Sequence, residues 1–126
     1  VDTIVLEEIP APNENWFGLA KVLDTSRFCS AQVFNGRVVR IDDKVKTDNE
    51  FAFIGLAGIK DYGVFWNALE SNQNTIGGEI QISNGLTSLV ERGLYAKTFT
   101  WFDVGTPNSY AHAVRNYPNG TPYRGK

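Results

Sequence analysis

Apolar residues fall into short alternating or continuous runs in the first half of the chain, and into stretches spaced three to four apart further on. Thr3 to Ile9 is rich in branched aliphatic residues and is closed by Pro10-Ala11-Pro12, so it reads as a strand, and Trp16 to Leu23 reads as a second. Gln32-Val33-Phe34, then Asn35-Gly36, then Arg37 to Ile41 is the clearest hairpin, because Asn-Gly suits the positive φ angles of a type I′ turn. Lys44 to Glu50 is charged and polar, the composition of a solvated loop. Phe51 to Ile59 is nearly continuous apolar sequence with two glycines, the profile of a buried central strand whose backbone is closely approached.

Helical spacing predicts three helices. Tyr62, Phe65, Trp66 and Leu69 share one face, with Asp61 as a cap, and the stripe reads as core. Ile82, Leu86, Leu89 and Val90 define a second helix, with Ser83 as its cap and Gly93 as its stop. In the third, Thr106 is the N-cap, Pro107 takes the first helical position where its missing N–H is not needed, and Tyr110, Ala113 and Val114 follow. The run Tyr95 to Trp101 is rich in aromatic and β-branched residues, which places Asp103 at the carboxyl end of a strand. Residues 117–126 carry Pro, Gly and Tyr-Arg-Gly-Lys and are expected to form a loose tail. No repeat or linker divides the chain, so residues 1–126 are expected to form one domain.

Composition narrows the partners more than the chemistry. A chain of 126 residues, 42% hydrophobic, is long enough to bury roughly two thirds of its unfolded surface. Its 12 basic and 14 acidic residues are intermixed, which argues against polymeric nucleic acid as a partner and leaves free nucleotide open. The single Cys29 forms no internal disulfide and has no Cys or His at zinc-ligand spacing; a reducing, cytoplasmic location is expected. No apolar run approaches the length of a membrane span. His112 has no second His or Cys nearby and reads as a surface residue.

The leading chemical candidate is Asp103, in Trp101-Phe102-Asp103-Val104-Gly105-Thr106-Pro107. A carboxylate held between aromatic rings and a Gly-Thr-Pro turn has a fixed direction, as a metal ligand or general base requires, and strand ends are where α/β sheets gather ligands. Local physics supports equally the reading in which Asp103 only accepts hydrogen bonds from the turn that follows it.

That run resembles the closing motif of sugar-phosphate nucleotidyltransferases (nucleoside-diphosphate-sugar pyrophosphorylases), and further stretches fall in the family's order. Asn15-Trp16-Phe17-Gly18-Leu19-Ala20-Lys21-Val22-Leu23-Asp24 is similar to the Tyr-Gly-Val strand that passes beneath the sugar. Val38-Val39-Arg40-Ile41-Asp42-Asp43-Lys44 is similar to the strand ending in Glu-Lys-Pro, with Asp43 and Val45 departing from it. Phe51-Ala52-Phe53-Ile54-Gly55-Leu56-Ala57-Gly58-Ile59 is similar to the strand whose glycine lets the sugar approach. Gly77-Gly78-Glu79-Ile80-Gln81-Ile82-Ser83-Asn84 is similar to the Gly-Glu-x-x-x-(Thr/Ser)-Asp segment, with Asn84 in place of Asp.

The resemblance implies an α/β fold (α+β as an isolated piece): a mixed β-sheet with a hairpin and about three helices, the second half of the nucleotide-diphospho-sugar transferase fold. It implies an enzyme that makes an NDP-sugar and pyrophosphate from a nucleoside triphosphate and a sugar 1-phosphate, with Mg²⁺ neutralising phosphate charge. Asp103 then corresponds to a metal-binding and catalytic carboxylate whose partner lies in the other half. Lys44 corresponds to the catalytic lysine on the sugar phosphate, and Gly18, Asp43, Lys44, Gly55 and Glu79 to the substrate-binding set. The family's Gly-rich triphosphate loop does not occur here and the sequence opens without Met, so a carboxyl-terminal piece is expected, inactive alone and without an ordered metal. Pairing with the missing half or with a second copy is expected to cover exposed strand edges. The alternative is a non-catalytic module of a short protein that binds sugar phosphate or serves in assembly.

Overall fold

The computed structural model describes residues 2–71, 75–76 and 79–117, with residues 75, 76, 79 and 80 described by backbone only. Two units are distinguished: Ile9–Thr98, and the described parts of Val1–Glu8 with Phe99–Lys126.

The first unit is built on strands β2 (Trp16–Lys21), β3 (Cys29–Phe34), β4 (Arg37–Asp43), β5 (Phe51–Gly58) and β8 (Tyr95–Thr98). They close into a barrel in the order β2-β5-β3-β4-β8. The expected mixed sheet is present, since β2 and β8 run parallel while the other pairs are antiparallel. Its closure was not expected: the β2–β8 pairing joins residues far apart in sequence, and local patterning carries no information about it. The predicted hairpin joins β3 to β4, with Asn35 at φ 50° and Gly36 at φ 73° supplying the left-handed backbone that the turn needs.

Helices α1 (Tyr62–Ser71), α2 (Ile82–Thr87) and α3 (Val90–Gly93) belong to this unit, as does the short ribbon of β6 (Thr75–Ile76) and β7 (Glu79–Ile80). Phe65 from α1 and Leu86 from α2 join Phe17, Leu19, Ala31, Val38, Leu89 and Leu94 in one buried core. The predicted second helix is broken in two. The N-cap of its α2 portion is Gln81, which makes no side-chain capping bond, so Ser83 lies inside the helix rather than at its start. After Thr87 the backbone tightens into three-residue turns, with Leu89 N–H on Leu86 O and Arg92 N–H on Leu89 O, while the Ser88 hydroxyl donates to Gly85 O. Asp61 precedes α1, and its carboxylate accepts from Asn15 Nδ2 at 2.7 Å.

In the second unit β1 (Thr3–Val5) pairs antiparallel with β9 (Trp101–Asp103), and α4 (Pro107–Asn116) follows. The sequence from Tyr95 to Asp103 thus divides into two strands in two units. At the break, Thr100 N–H (2.8 Å) and Oγ1 (2.6 Å) donate to the Glu7 carboxylate. The predicted start of α4 is realised as a capping box: Thr106 Oγ1 accepts from Ser109 N–H and the Ser109 hydroxyl accepts from Thr106 N–H. Tyr117 caps α4, and the rest of the predicted tail lies outside the described residues. Among the described residues no helix is long and apolar enough to cross a membrane.

Candidate functional site

The end of β4 gathers the polar groups of the barrel unit. Asp42 pairs with Ser30 and Asp43 with Cys29 across β3. Asp42 Oδ2 accepts from Arg40 Nε at 2.8 Å and from Asn49 Nδ2 at 2.7 Å, and Asn49 Nδ2 also donates to Ser30 Oγ at 2.9 Å. Thr25 Oγ1 donates to Asn49 O. Through Asn49 these bonds fasten the polar 44–50 loop, read from sequence only as solvated, to the end of β4, to β3 and to Thr25.

Lys44 follows directly and is exposed. Its backbone has φ 53°, a left-handed conformation that costs a non-glycine residue on the order of 1 kcal/mol and persists only where neighbours impose it. Its N–H donates to Phe28 O at 2.9 Å. Asp43, one residue earlier, is turned inward: Oδ2 accepts from Ser83 Oγ at 2.5 Å, and Oδ1 is buried with no donor among the described residues. Ser83 is itself buried. Burial pushes the neighbouring Cys29 thiol up to about 12, with the Asp43 and Asp42 charges adding to the effect, so it is a protonated packing residue at neutral pH.

Gly18 and Gly55 meet across an irregularity of the β2–β5 pair. Phe17 pairs with Ala57 and Leu19 with Phe53, so Gly18 alone faces the span Ile54 to Leu56. A Cβ on Gly18 would stand 2.5 Å from Leu56 O, and Gly55 is exposed at φ 87°. Strand packing therefore demands a glycine at Gly18, and the left-handed backbone favours one at Gly55. Glu79 lies in β7, two residues ahead of the α2 cap Gln81; its side chain lies outside what the structure describes, as do Gly77 and Gly78. Ser83, four residues beyond Glu79, bonds Asp43 and so ties α2 to the strand end that carries Lys44. Two concavities of the barrel unit, about 190 Å³ beside Asn49 and about 400 Å³ between Phe65, Trp66, Leu69 and Ile82, are lined by none of these candidates.

In the second unit Asp103 ends β9 opposite Thr3. Its Oδ1 accepts from Gly105 N–H at 3.1 Å, so the turn-acceptor geometry is realised through one oxygen, and no described residue donates to Oδ2. Asp2 lies beside it, and sequence reasoning missed it. A Cβ placed on Gly105 would be 3.2 Å from Asp2 Oδ2 and 3.3 Å from Asp103 Oδ1, so both carboxylates lie against Gly105. The donor set is all oxygen, the chemistry that Mg²⁺ prefers. No group of three or more His, Cys, Asp and Glu able to hold a metal occurs among the described residues. His112 is exposed on α4.

No protein-family model matches this sequence, and no curated protein matches it. Solved structures do. A protein described as a glucose-1-phosphate thymidylyltransferase from Bacillus anthracis, crystallised with sucrose, superposes with a TM-score of 0.64 at 22% identity, covering 79% of this chain and 41% of that one. A UDP-glucose pyrophosphorylase complexed with UDP-glucose gives 0.64 at 17% identity, covering 82% and 43%. A UTP-bound UGPase from Acinetobacter baumannii gives 0.62 at 18% identity, covering 86% and 41%. The chain thus carries a fold shared with sugar-phosphate nucleotidyltransferases and spans 41–43% of the length of these three.

Proposed function

We propose that this chain is the sugar-phosphate-binding part of a sugar-phosphate nucleotidyltransferase, which joins a nucleoside triphosphate and a sugar 1-phosphate into an NDP-sugar. The observation that carries the reading is the shared fold, found with a thymidylyltransferase and with pyrophosphorylases alike. Motif order along the sequence supports it independently.

In that reaction an oxygen of the sugar phosphate attacks the α-phosphorus in line. The new P–O bond forms as the bond to the bridging oxygen breaks, and pyrophosphate leaves with the electron pair. Negative charge crowds the centre, so fixed cations lower the barrier. Lys44, exposed on a constrained backbone, places an ammonium against the sugar phosphate as a point charge. Gly55, exposed, keeps the strand backbone free of a side chain where the sugar lies, Gly18 permits the close strand approach beneath it, and Glu79 accepts from its hydroxyls. Mg²⁺, when bound with nucleotide, neutralises phosphate charge; Asp103 would hold it, with Asp2 alongside. Base recognition and the triphosphate loop are assigned to the part of such enzymes that this chain does not span, so the chain alone is expected not to turn over.

Titrating glucose 1-phosphate onto the chain by calorimetry tests the reading. Binding that Lys44→Ala weakens at least tenfold, with an unchanged melting temperature, is the expected result. Absence of binding would remove the sugar-phosphate assignment. Pyrophosphate release by the chain alone, over a panel of sugar 1-phosphates and nucleotides, would overturn the division of labour. Binding without turnover in a natural full-length product would favour the non-catalytic module instead.

A further inference from the structure

Asp43 stands where a carboxylate contact to sugar is expected, yet neither of its oxygens is free for one: Oδ2 takes the Ser83 hydroxyl at 2.5 Å and Oδ1 is buried. The acid is one methylene shorter than the family's Glu, and that shortness keeps it at its own strand. Ser83, 5% exposed, reaches it from within α2 rather than capping that helix. The bond therefore ties α2 to the last residue of β4, with Lys44 held on its other side by the N–H bond to Phe28 O. Between those two ties the Lys44 backbone is confined to φ 53°, a conformation that lysine does not choose by itself. On the far side of Ser83 the chain leads back within four residues to Glu79.

We propose that Asp43 and Ser83 form a positioning pair: Asp43 does not touch the sugar, and its bond to Ser83 fixes the direction of Lys44. The pair acts through Lys44, so the functional half of this inference rests on the sugar-phosphate reading above. Its structural half does not. Loss of the Ser83 hydroxyl leaves both Asp43 oxygens without a donor among the described residues and frees the strand end.

The test is residue-resolved amide exchange in the unliganded chain, joined to a glucose 1-phosphate titration, for wild type, Ser83→Ala, Ser83→Thr, Asp43→Ala and the double variant Asp43→Ala/Ser83→Ala. Ser83→Ala is expected to speed exchange of the Lys44 amide and the α2 amides about tenfold while the Leu19 amide in β2 is unchanged; Ser83→Thr restores the slow rate, and the double variant exceeds neither single one. Glucose 1-phosphate affinity falls in parallel, on the order of tenfold, and recovers with Thr. An unaltered Lys44 amide in Ser83→Ala, or acceleration spread evenly over the barrel and not reversed by Thr, would overturn the pair. If wild type takes up no glucose 1-phosphate but the exchange pattern responds as described, the sugar-phosphate reading falls and the structural tie stands. Should Asp43→Ala not fold, Ser83→Ala with its Thr rescue still decides the matter.

Discussion

The barrel unit and the ribbon-and-helix unit hold their shapes by different means. In the barrel, Phe17, Leu19, Ala31, Leu86, Leu89 and Leu94 are wholly removed from solvent, and five strands leave no edge. In the other unit each paired strand is three residues long and every residue of β1 and β9 is only partly buried. There the definition comes from polar groups: the Glu7 carboxylate on Thr100, the Asp103 carboxylate on Gly105 and the Thr106–Ser109 box. The two candidate charges therefore rest on unlike supports. Lys44 is directed by a packed core through a strand end, and Asp103 by a local chain of hydrogen bonds.

The largest effect separating the two is expected from Leu19→Ala. The side chain is fully buried in the barrel core, so its truncation leaves a cavity and should cost about 3–5 kcal/mol in urea unfolding. Loss of protection should extend along the strands to the Lys44 amide. A cost below about 1 kcal/mol would mean that the barrel is held by its backbone ladder and not by its core, and the contrast between the units would vanish.

How much of this was legible in the sequence follows the same division. The Asn35-Gly36 turn and the Thr106-Pro107 helix start are encoded by residues in contact with their immediate neighbours, and both are realised where the pattern puts them. The break between β8 and β9 was not legible, because Tyr95 to Phe102 is rich in aromatic and β-branched residues on both sides of it, while the group that captures Thr100 is Glu7. Barrel closure depends likewise on the β2–β8 pairing. At the candidate site, sequence placed Asp43 and Lys44 on one strand end and proposed Ser83 as a helix cap; its reach to Asp43 is tertiary and leaves no local trace. Asp2 escaped notice for the same reason, since only the β1–β9 register brings it to Gly105.

An intermediate effect is expected in the second unit from Thr106→Ala. The change deletes the side-chain acceptor for Ser109 N–H at the start of α4, worth about 1 kcal/mol. Amide exchange should quicken at Ser109 and Tyr110 and not at Leu19. Quickening at Leu19 as well would show one cooperative structure rather than two supports. Thr106→Ser, which keeps the hydroxyl, should recover most of the loss.

The smallest effect is a pH dependence confined to one contact. Glu7 is held below its ordinary value of 4.5, first by the Thr100 hydroxyl bond and then by the Thr100 amide bond. A depressed folded value means that the unfolded chain binds the proton more readily, so the contribution is complete above pH 4.5 and is lost as pH falls through the lower folded value. Because the carboxylate is fully solvated, the change in global stability should be slight, and the readout must be local. The Thr100 amide should lose exchange protection in that acid window, and Glu7→Gln should flatten its profile by removing the titrating group while retaining an acceptor oxygen. The Leu19 amide, supported by apolar burial, should follow the same profile in wild type and in Glu7→Gln. A Glu7→Gln profile that still falls below pH 4.5 would assign the acid response to another carboxylate and detach Thr100 from the polar support that distinguishes this unit.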